Sequence, residues 1–276
     1  MPRRPVHRPL RVFINGQLVG FFLKEPGGTV AFGYDESWLA RDKAIPVSLS
    51  LPLREDPFKG PAVAAFFENL LPDSESLRRR VSEKVGAEGM DAYSLLSRIG
   101  RDCVGALQFL PEDEELQAST EIQGRVASDS EIEGMLLNLA QAPLGLEPER
   151  DFRISIAGAQ EKTALLRYKD QWWKPSGATP TTHILKKQMG TLPNGLDLSN
   201  SIENEFYCLR LLAAFGLPVN HAEISTFGKT KALVIERFDR RWTRDGRLLR
   251  LPQEDCCQAL SVPPSRKYQN DGGPGI

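Results

Sequence analysis

"RISIAGAQEKTALL", residues 153–166, is the stretch on which the fold turns. Apolar residues alternate through Arg153–Ala157 and run together in Thr163–Leu166, which predicts a strand on either side of a short loop. The loop holds Ala157, Gly158 and Ala159, then Gln160 and the charged pair Glu161-Lys162. Successive small residues let backbone N–H groups approach a ligand without obstruction. A run of such groups makes an anion-binding concavity, and Lys162 adds a positive charge at its end. A plain hairpin turn is the competing reading. Neither the GxxxxGK[ST] phosphate loop nor the GxGxxG dinucleotide fingerprint is present, and no helix pattern follows to lend its dipole.

The elements downstream favour a phosphate over a turn. Lys186 ends the strand pattern "THILK", where it can point under the loop at nucleotide phosphates. The helix after it offers Glu203 and Glu205, either of which can pair with that lysine. "ALVIERFDR" then ends a strand with Glu236, Arg237 and Phe238, whose backbone can meet an adenine edge. Glycine loop, strand lysine, helix glutamate and strand-end connector, in that order, follow the logic of a protein-kinase small lobe. Plainer roles compete: Lys186 as a solvated strand end, the glutamates as partners of the helix dipole.

The rest of the chain is organised around two halves. Residues 10–50 read as β-structure, with Asn15-Gly16 a type I′ hairpin signal and "KEPGGTVAFGY" a further turn and strand. "PAVAAFFENLLPDSESLRRRVSEKVG" is helical, broken at Pro72-Asp73-Ser74, and Arg78, Arg79 and Arg80 read as a solvated helix face. "DCVGALQFLPEDEELQ" is a strand entering an acidic turn. The polar residues 111–130 make the best domain boundary, and a short helix capped by Ser128, Asp129 or Ser130 restarts the chain. Five strands are expected after it: "FRISIA", "KTALLRY", "THILKK", "AEISTFG" and "KALVIERF". One helix, "SNSIENEFYCLRLLAAFGLP", interrupts them, with Phe206, Leu209, Leu212 and Ala213 as its apolar stripe. Asp245-Gly246 reads as a type I′ turn. The fold class is α+β, an antiparallel sheet with a single packed helix rather than an alternating βαβ fold.

Composition sets the outer bounds. At 276 residues the chain has room for roughly two domains. Its net charge of −1 supplies no global field toward nucleic acid or anionic membrane. The basic start "MPRRPVHRPLR" lacks the apolar core of a secretory signal, and no apolar run approaches the ~18 residues of a membrane span. A soluble, cytoplasmic protein is expected. Cys103, Cys208, Cys256 and Cys257 show no CxxC spacing and His7, His183 and His221 are scattered, so no metal site is expected.

"FFENLLPDS", "DCVGALQFLP", "FRISIAGAQEKTALLR", "TPTTHILK", "LPQEDCCQ" and "KYQNDGGPGI" together span almost the whole chain, and on them it resembles the HipA family of toxin–antitoxin kinases. The resemblance implies a serine/threonine protein kinase that uses ATP and Mg²⁺ and acts as the toxin of a type II toxin–antitoxin module. It implies phosphorylation of glutamyl-tRNA synthetase, arrest of translation and persistence. The implied partner is a HipB-like DNA-binding antitoxin, with operator DNA reached only through it. By the same resemblance Ala157, Gly158, Ala159, Gln160, Glu161 and Lys162 form the phosphate loop, and Lys186 binds phosphates. Glu236, Arg237 and Phe238 form the adenine-side connector, and Ser155 is the autophosphorylated residue. The implied division is residues 1–125, an N-terminal β-rich domain, and residues 126–276, a kinase-like small lobe with the start of a C-terminal lobe. The sequence departs from the family in one respect. The Asp-Gly-His-x-x-Asn-type loop that carries the catalytic aspartate is absent, so that residue is expected beyond Ile276, in a missing helical lobe. The chain is therefore expected to be inactive alone: a truncated kinase, half of a split one, or a non-catalytic remnant that binds antitoxin or nucleotide.

Overall fold

The computed structural model of the chain describes residues 7–115, 121–146, 154–158, 160–192 and 194–275. Its first sheet comprises β1 (Leu10–Ile14), β2 (Gln17–Lys24), β3 (Val30–Tyr34), β4 (Phe58–Lys59) and β5 (Leu107–Pro111), antiparallel throughout in the order β4-β3-β2-β1-β5. The expected hairpin forms. Asn15 and Gly16 have φ of 46° and 83°, the left-handed pair a type I′ turn needs, and Ile14 pairs with Gln17. β-structure does not run on to residue 50. After β3 the chain enters a short helix, α1 (Glu36–Leu39), capped by Asp35 with Trp38 turned inward.

The helices α2 (Pro61–Glu68) and α4 (Ala92–Ile99) lie against this sheet, and α3 (Glu75–Val85) packs on α4. The break at Pro72-Asp73-Ser74 is where the sequence puts it. Ser74 accepts a hydrogen bond from the Leu77 N–H, and Gly86 closes α3 in the left-handed conformation. Phe22, Phe32, Phe66, Phe67 and Phe109 are fully buried in the layer between, each worth roughly 1.5–3 kcal/mol of apolar transfer. The arginine run on α3 is not a solvated face. Arg78 pairs with Glu68 and donates to the Pro72 carbonyl, and Arg80 pairs with Glu161; only the Arg79–Glu75 pair faces solvent.

The second sheet is larger than expected. β6 (Gly124–Val126), β7 (Lys162–Tyr168), β8 (Gln171–Pro175), β9 (His183–Lys187), β12 (Ala222–Phe227) and β13 (Thr230–Glu236) stand in the order β12-β13-β9-β7-β8-β6, with a small ribbon of β10 (Gly190–Thr191) and β11 (Asp197–Leu198) between β9 and the next helix. β8 escaped notice because its hairpin turns at Lys169-Asp170, both at positive φ, without the usual glycine. "FRISIA" is not a strand of this sheet. Ile154, Ser155 and Ile156 are all buried, with both isoleucines in the first core. The segment meets Asp102 in one isolated parallel bridge and pairs with no strand. Burial beneath the α2–α3 turn has replaced strand pairing.

Two helices, not one, cover this sheet. α5 (Asp129–Leu137), capped by Ser128, sets Ile132 and Leu136 against Leu165, Leu185, Ala232 and Val234. α6 (Ser201–Ala214) sets Ile202 against Leu233 and Ile235 on the opposite face. The stripe expected on α6 is not a buried one: Ile202 is its one buried residue, and Leu212 is 41% exposed. A ribbon of β14 (Arg240–Trp242) and β15 (Leu248–Arg250) and the short α7 (Cys256–Ala259) follow. Trp242 pairs with Leu248, so Asp245-Gly246 lies in a longer loop and not in a two-residue turn. The first core cluster draws on residues from Leu10 to Ala164, and β6 joins the second sheet at residues 124–126.

Candidate phosphate-binding site

Lys162 on β7 and Lys186 on β9 are direct register partners. Opposed residues on neighbouring strands share a face, so both side chains rise on one side of the sheet. Lys186 Nζ donates to Glu205 Oε1 at 2.7 Å. Of the two glutamates left open by the sequence, Glu205 is therefore the partner. Glu203 is occupied elsewhere, by Gln188 and by Lys231 at 3.4 Å.

Lys162 is different. It is 7% exposed, and among the described residues no carboxylate lies within ion-pair distance of it. Burial first, and the charge of Lys186 second, bring its pKa down to about 8; Asp73 and Glu205 oppose them. Its Nζ passes beneath Gly158, where a Cβ would lie 2.6 Å from it. Gly158 also has φ of 105°, a conformation L side chains rarely adopt. A side chain at 158 would be strained by that φ and would push the ammonium aside.

The loop is held by the first half of the chain. The Ser155 N–H donates to the Asp102 carbonyl at 3.0 Å, and Ser155 Oγ, fully buried, donates to the Leu70 carbonyl at 2.7 Å. The Asp73 N–H donates to the Gly158 carbonyl at 3.3 Å. Ala157 is half-buried, and Ala159 lies outside the described residues. Gln160 Nε2 donates to the Lys187 carbonyl, and Glu161 takes both terminal nitrogens of Arg80 at 3.1 Å. Gln160 and Glu161 therefore fasten the end of the loop to β9 and α3.

The connector also departs from expectation. The Glu236 and Arg237 N–H groups are engaged by the His221 and Thr182 carbonyls, both at 2.8 Å, while Phe238 is 61% exposed. The Arg237 side chain does not face a ligand. It is buried with Asp102, Thr181, Asp239, Arg240 and Arg250 in a cluster that sequence reasoning missed. Arg237 reaches Asp239 Oδ2 at 2.8 Å and Asp102 Oδ2 at 3.4 Å; Arg240 and Arg250 reach Asp102 Oδ1 at 2.8 and 3.2 Å. Burial alone would raise the Asp102 pKa. Arg240, Arg237 and Arg250 together overcome that and hold it far below the usual carboxylate range. These residues lie far apart in the sequence, and no local spacing announces them.

A polyphosphate suits these charges: a buried ammonium with no carboxylate partner among the described residues, a second lysine oriented by a glutamate, and a glycine beside the ammonium. Among the described residues no group of three or more His, Cys, Asp or Glu side chains is placed to hold a metal ion, so no Mg²⁺ ligand is assigned. No described helix is long and apolar enough to cross a membrane.

Comparison with known proteins agrees with this architecture. A family model described as the HipA N-terminal domain matches residues 10–110, and one described as the HipA-like C-terminal domain matches residues 154–275. Y4mE of Sinorhizobium fredii, named as a kinase, is 38% identical over 270 residues, covering 97% of this chain and 62% of that protein. The serine/threonine-protein kinase toxin HipA of Shewanella oneidensis is 30% identical over 248 residues, covering 90% of this chain and 54% of that one. A solved complex of Shewanella oneidensis HipA, HipB and operator DNA superposes with a TM-score of 0.74 at 29% identity, covering 96% of this chain and 59% of that one. The chain thus spans between about half and two thirds of the length of these relatives. With both family models matched in order on one α+β fold, the chain belongs to the HipA family.

Proposed function

We propose that the segment 154–158 with β7 and β9 forms the ATP site of a serine/threonine protein kinase, the toxin of a type II toxin–antitoxin module. The observation that carries this reading is the Lys186–Glu205 ion pair beside the buried Lys162 under Gly158. A strand lysine fixed by a helix glutamate beneath a glycine loop positions nucleotide phosphates for transfer. Bound with Mg²⁺, ATP supplies the phosphoryl group. Lys186, braced by Glu205, and Lys162 neutralise its phosphates, and of the stretch from Glu236 to Phe238, whose first two N–H groups are engaged, Phe238 offers the adenine end an exposed ring. Ser155 serves as an off-switch. Its hydroxyl is sealed against the Leu70 carbonyl, where a phosphate dianion has neither room nor solvent, so the modified segment must leave and take the loop with it.

The likeness to a named HipA toxin and to a HipA–HipB–operator complex supports a HipB-like antitoxin as partner, with operator DNA contacted through it. Glutamyl-tRNA synthetase as protein substrate, persistence as outcome and a cytoplasmic location complete the proposal. A second reading, nucleotide binding without turnover by these 276 residues, is favoured by four of the aspartates after residue 190. Asp239 is bound by Arg237, Asp245 by Arg247, Asp255 caps α7 and Asp197 accepts from Ser199. Each has a local role that leaves it poorly placed as a base.

Calorimetry of ATP–Mg²⁺ binding to the chain and to Lys186→Ala is the test. Binding that the variant loses by about tenfold or more, the worth of one charge-assisted contact, is expected. No binding by either, or equal binding by both, overturns the ATP site.

A further inference from the structure

The motifs "FFENLLPDS" and "KYQNDGGPGI" meet at the glycine loop, through the Asp73 carboxylate and Lys267. Asp73, in the α2–α3 link, acts there twice. Its N–H holds the Gly158 carbonyl, and its Oδ2 accepts from Lys267 Nζ at 2.8 Å. Lys267 follows a short turn, Pro264–Arg266, that is pinned to α2: Asn69 Nδ2 donates to the Val262 carbonyl at 2.9 Å, and Gln258 Nε2 to the Phe66 carbonyl at 3.2 Å. Its ammonium is therefore delivered to the loop from the far end of the chain. Both Asp73 and Lys267 stand near enough to act on the charge of Lys162.

Lys162 and the charged groups that act on it are three lysines, Lys162, Lys186 and Lys267, against two carboxylates, Asp73 and Glu205, one positive charge in excess; Glu161, at the loop's end, is taken by Arg80. A triphosphate brings three or more negative charges, and it needs more than that excess. Glu205 is tied to the lysine it orients. The Asp73–Lys267 pair is partly solvated, with side chains 18% and 29% exposed. Such pairs are weak, and Lys267 has a long flexible stem.

We propose that Lys267 is a third phosphate-binding residue of this site, held on Asp73 while the site is free of phosphate and released to the ligand when a polyphosphate arrives. Asp73 is then a positioning residue: its backbone keeps the loop in place while its carboxylate stores the third cation. The proposal rests on the phosphate-site reading and deepens it.

The test uses inorganic tripolyphosphate, without nucleotide, titrated calorimetrically into the full chain at two salt concentrations. Lys267→Gln is expected to weaken binding about tenfold, as loss of one charge-assisted contact does, and to flatten the salt dependence. Asp73→Asn is expected to tighten binding. Lys267→Gln placed in the Asp73→Asn background is expected to cost more than in the native chain, because no ion pair has to be broken there. A structural strut predicts otherwise: both single variants weaken binding alike and lower the melting temperature alike, and that outcome overturns the proposal. So does failure of the native chain to bind tripolyphosphate. If Lys267→Gln does not fold, Lys267→Arg and Asp73→Asn carry the comparison. ATP binding that depends on Lys186 while Lys267→Gln binds tripolyphosphate normally sinks the latch and spares the ATP site. Tripolyphosphate binding with the expected pattern, but none for ATP, does the reverse.

Discussion

Lys162 carries its charge at a cost that pH exposes. An ordinary lysine titrates near 10.5, and burial with Lys186 beside it brings Lys162 to about 8. Below pH 8 it is charged both folded and unfolded, and the burial penalty is present in full. Between about 8 and 10.5 the folded chain sheds the proton that the unfolded chain keeps, so stability rises with pH, by on the order of 3 kcal/mol in all. Urea unfolding at pH 7, 8.5 and 10 checks this. Lys162→Met is expected to be the more stable chain at pH 7 and to lack the native chain's extra rise. Equal slopes would mean the ammonium is not penalised where it lies. Anion binding runs the opposite way, its affinity falling as pH climbs through 8. The sequence shows the lysine and its neighbour Glu161 as one charged pair at the end of a loop. It does not show that Glu161 turns to Arg80 on α3 while Lys162 turns inward. Those choices depend on partners that adjacency cannot reveal.

At the scale of elements, the signals that held were local and chemical. Asn15-Gly16 makes its turn, Ser74 and Ser128 cap their helices, and β7, β9, β12 and β13 stand where β-prone runs placed them. What failed was alternation without a sheet to join, in residues 154–156, and apolar periodicity without a surface to meet, in α6. The second failure has a physical consequence. Tyr207, Leu211, Leu212, Phe215 and Leu217 are 64, 41, 41, 74 and 53% exposed on or just after α6. Contiguous apolar surface of a few hundred Å² or more drives association of a chain in water. Sedimentation velocity on these 276 residues is expected to show concentration-dependent self-association, relieved by Leu212→Glu with Phe215→Glu. A monodisperse monomer across the concentration range, in sedimentation or light scattering, would sink the prediction.

For the molecule as a whole, the organising feature is the buried ionic cluster around Asp102, and nothing in the sequence pointed to it. Its carboxylate comes from the link between α4 and β5. Its guanidiniums come from Arg237, Arg240 and Arg250, at the end of β13 and on the β14–β15 ribbon. The Asp102 backbone carbonyl holds Ser155 at the entrance to the loop, and its side chain takes the Thr181 hydroxyl at 2.6 Å, just ahead of β9. One residue of the first half thus fixes the loop, the strand of Lys186 and the connector together. Such clusters are poor sources of net stability when compared with apolar packing, because desolvating the charges offsets most of their attraction. Removing one partner is another matter. Asp102→Asn keeps the shape but leaves Arg237 and Arg240 with Asp239 alone and Arg250 without its carboxylate, at an expected cost of about 3–5 kcal/mol. Trp38 reports on the first half and Trp172, Trp173 and Trp242 on the second, so fluorescence followed beside far-UV circular dichroism separates the two possible effects. If the cluster couples the halves, the native chain unfolds in one urea transition, and the variant unfolds at lower urea with transitions that no longer coincide. A variant that keeps the native midpoint would mean that apolar packing, not charge, joins the two halves.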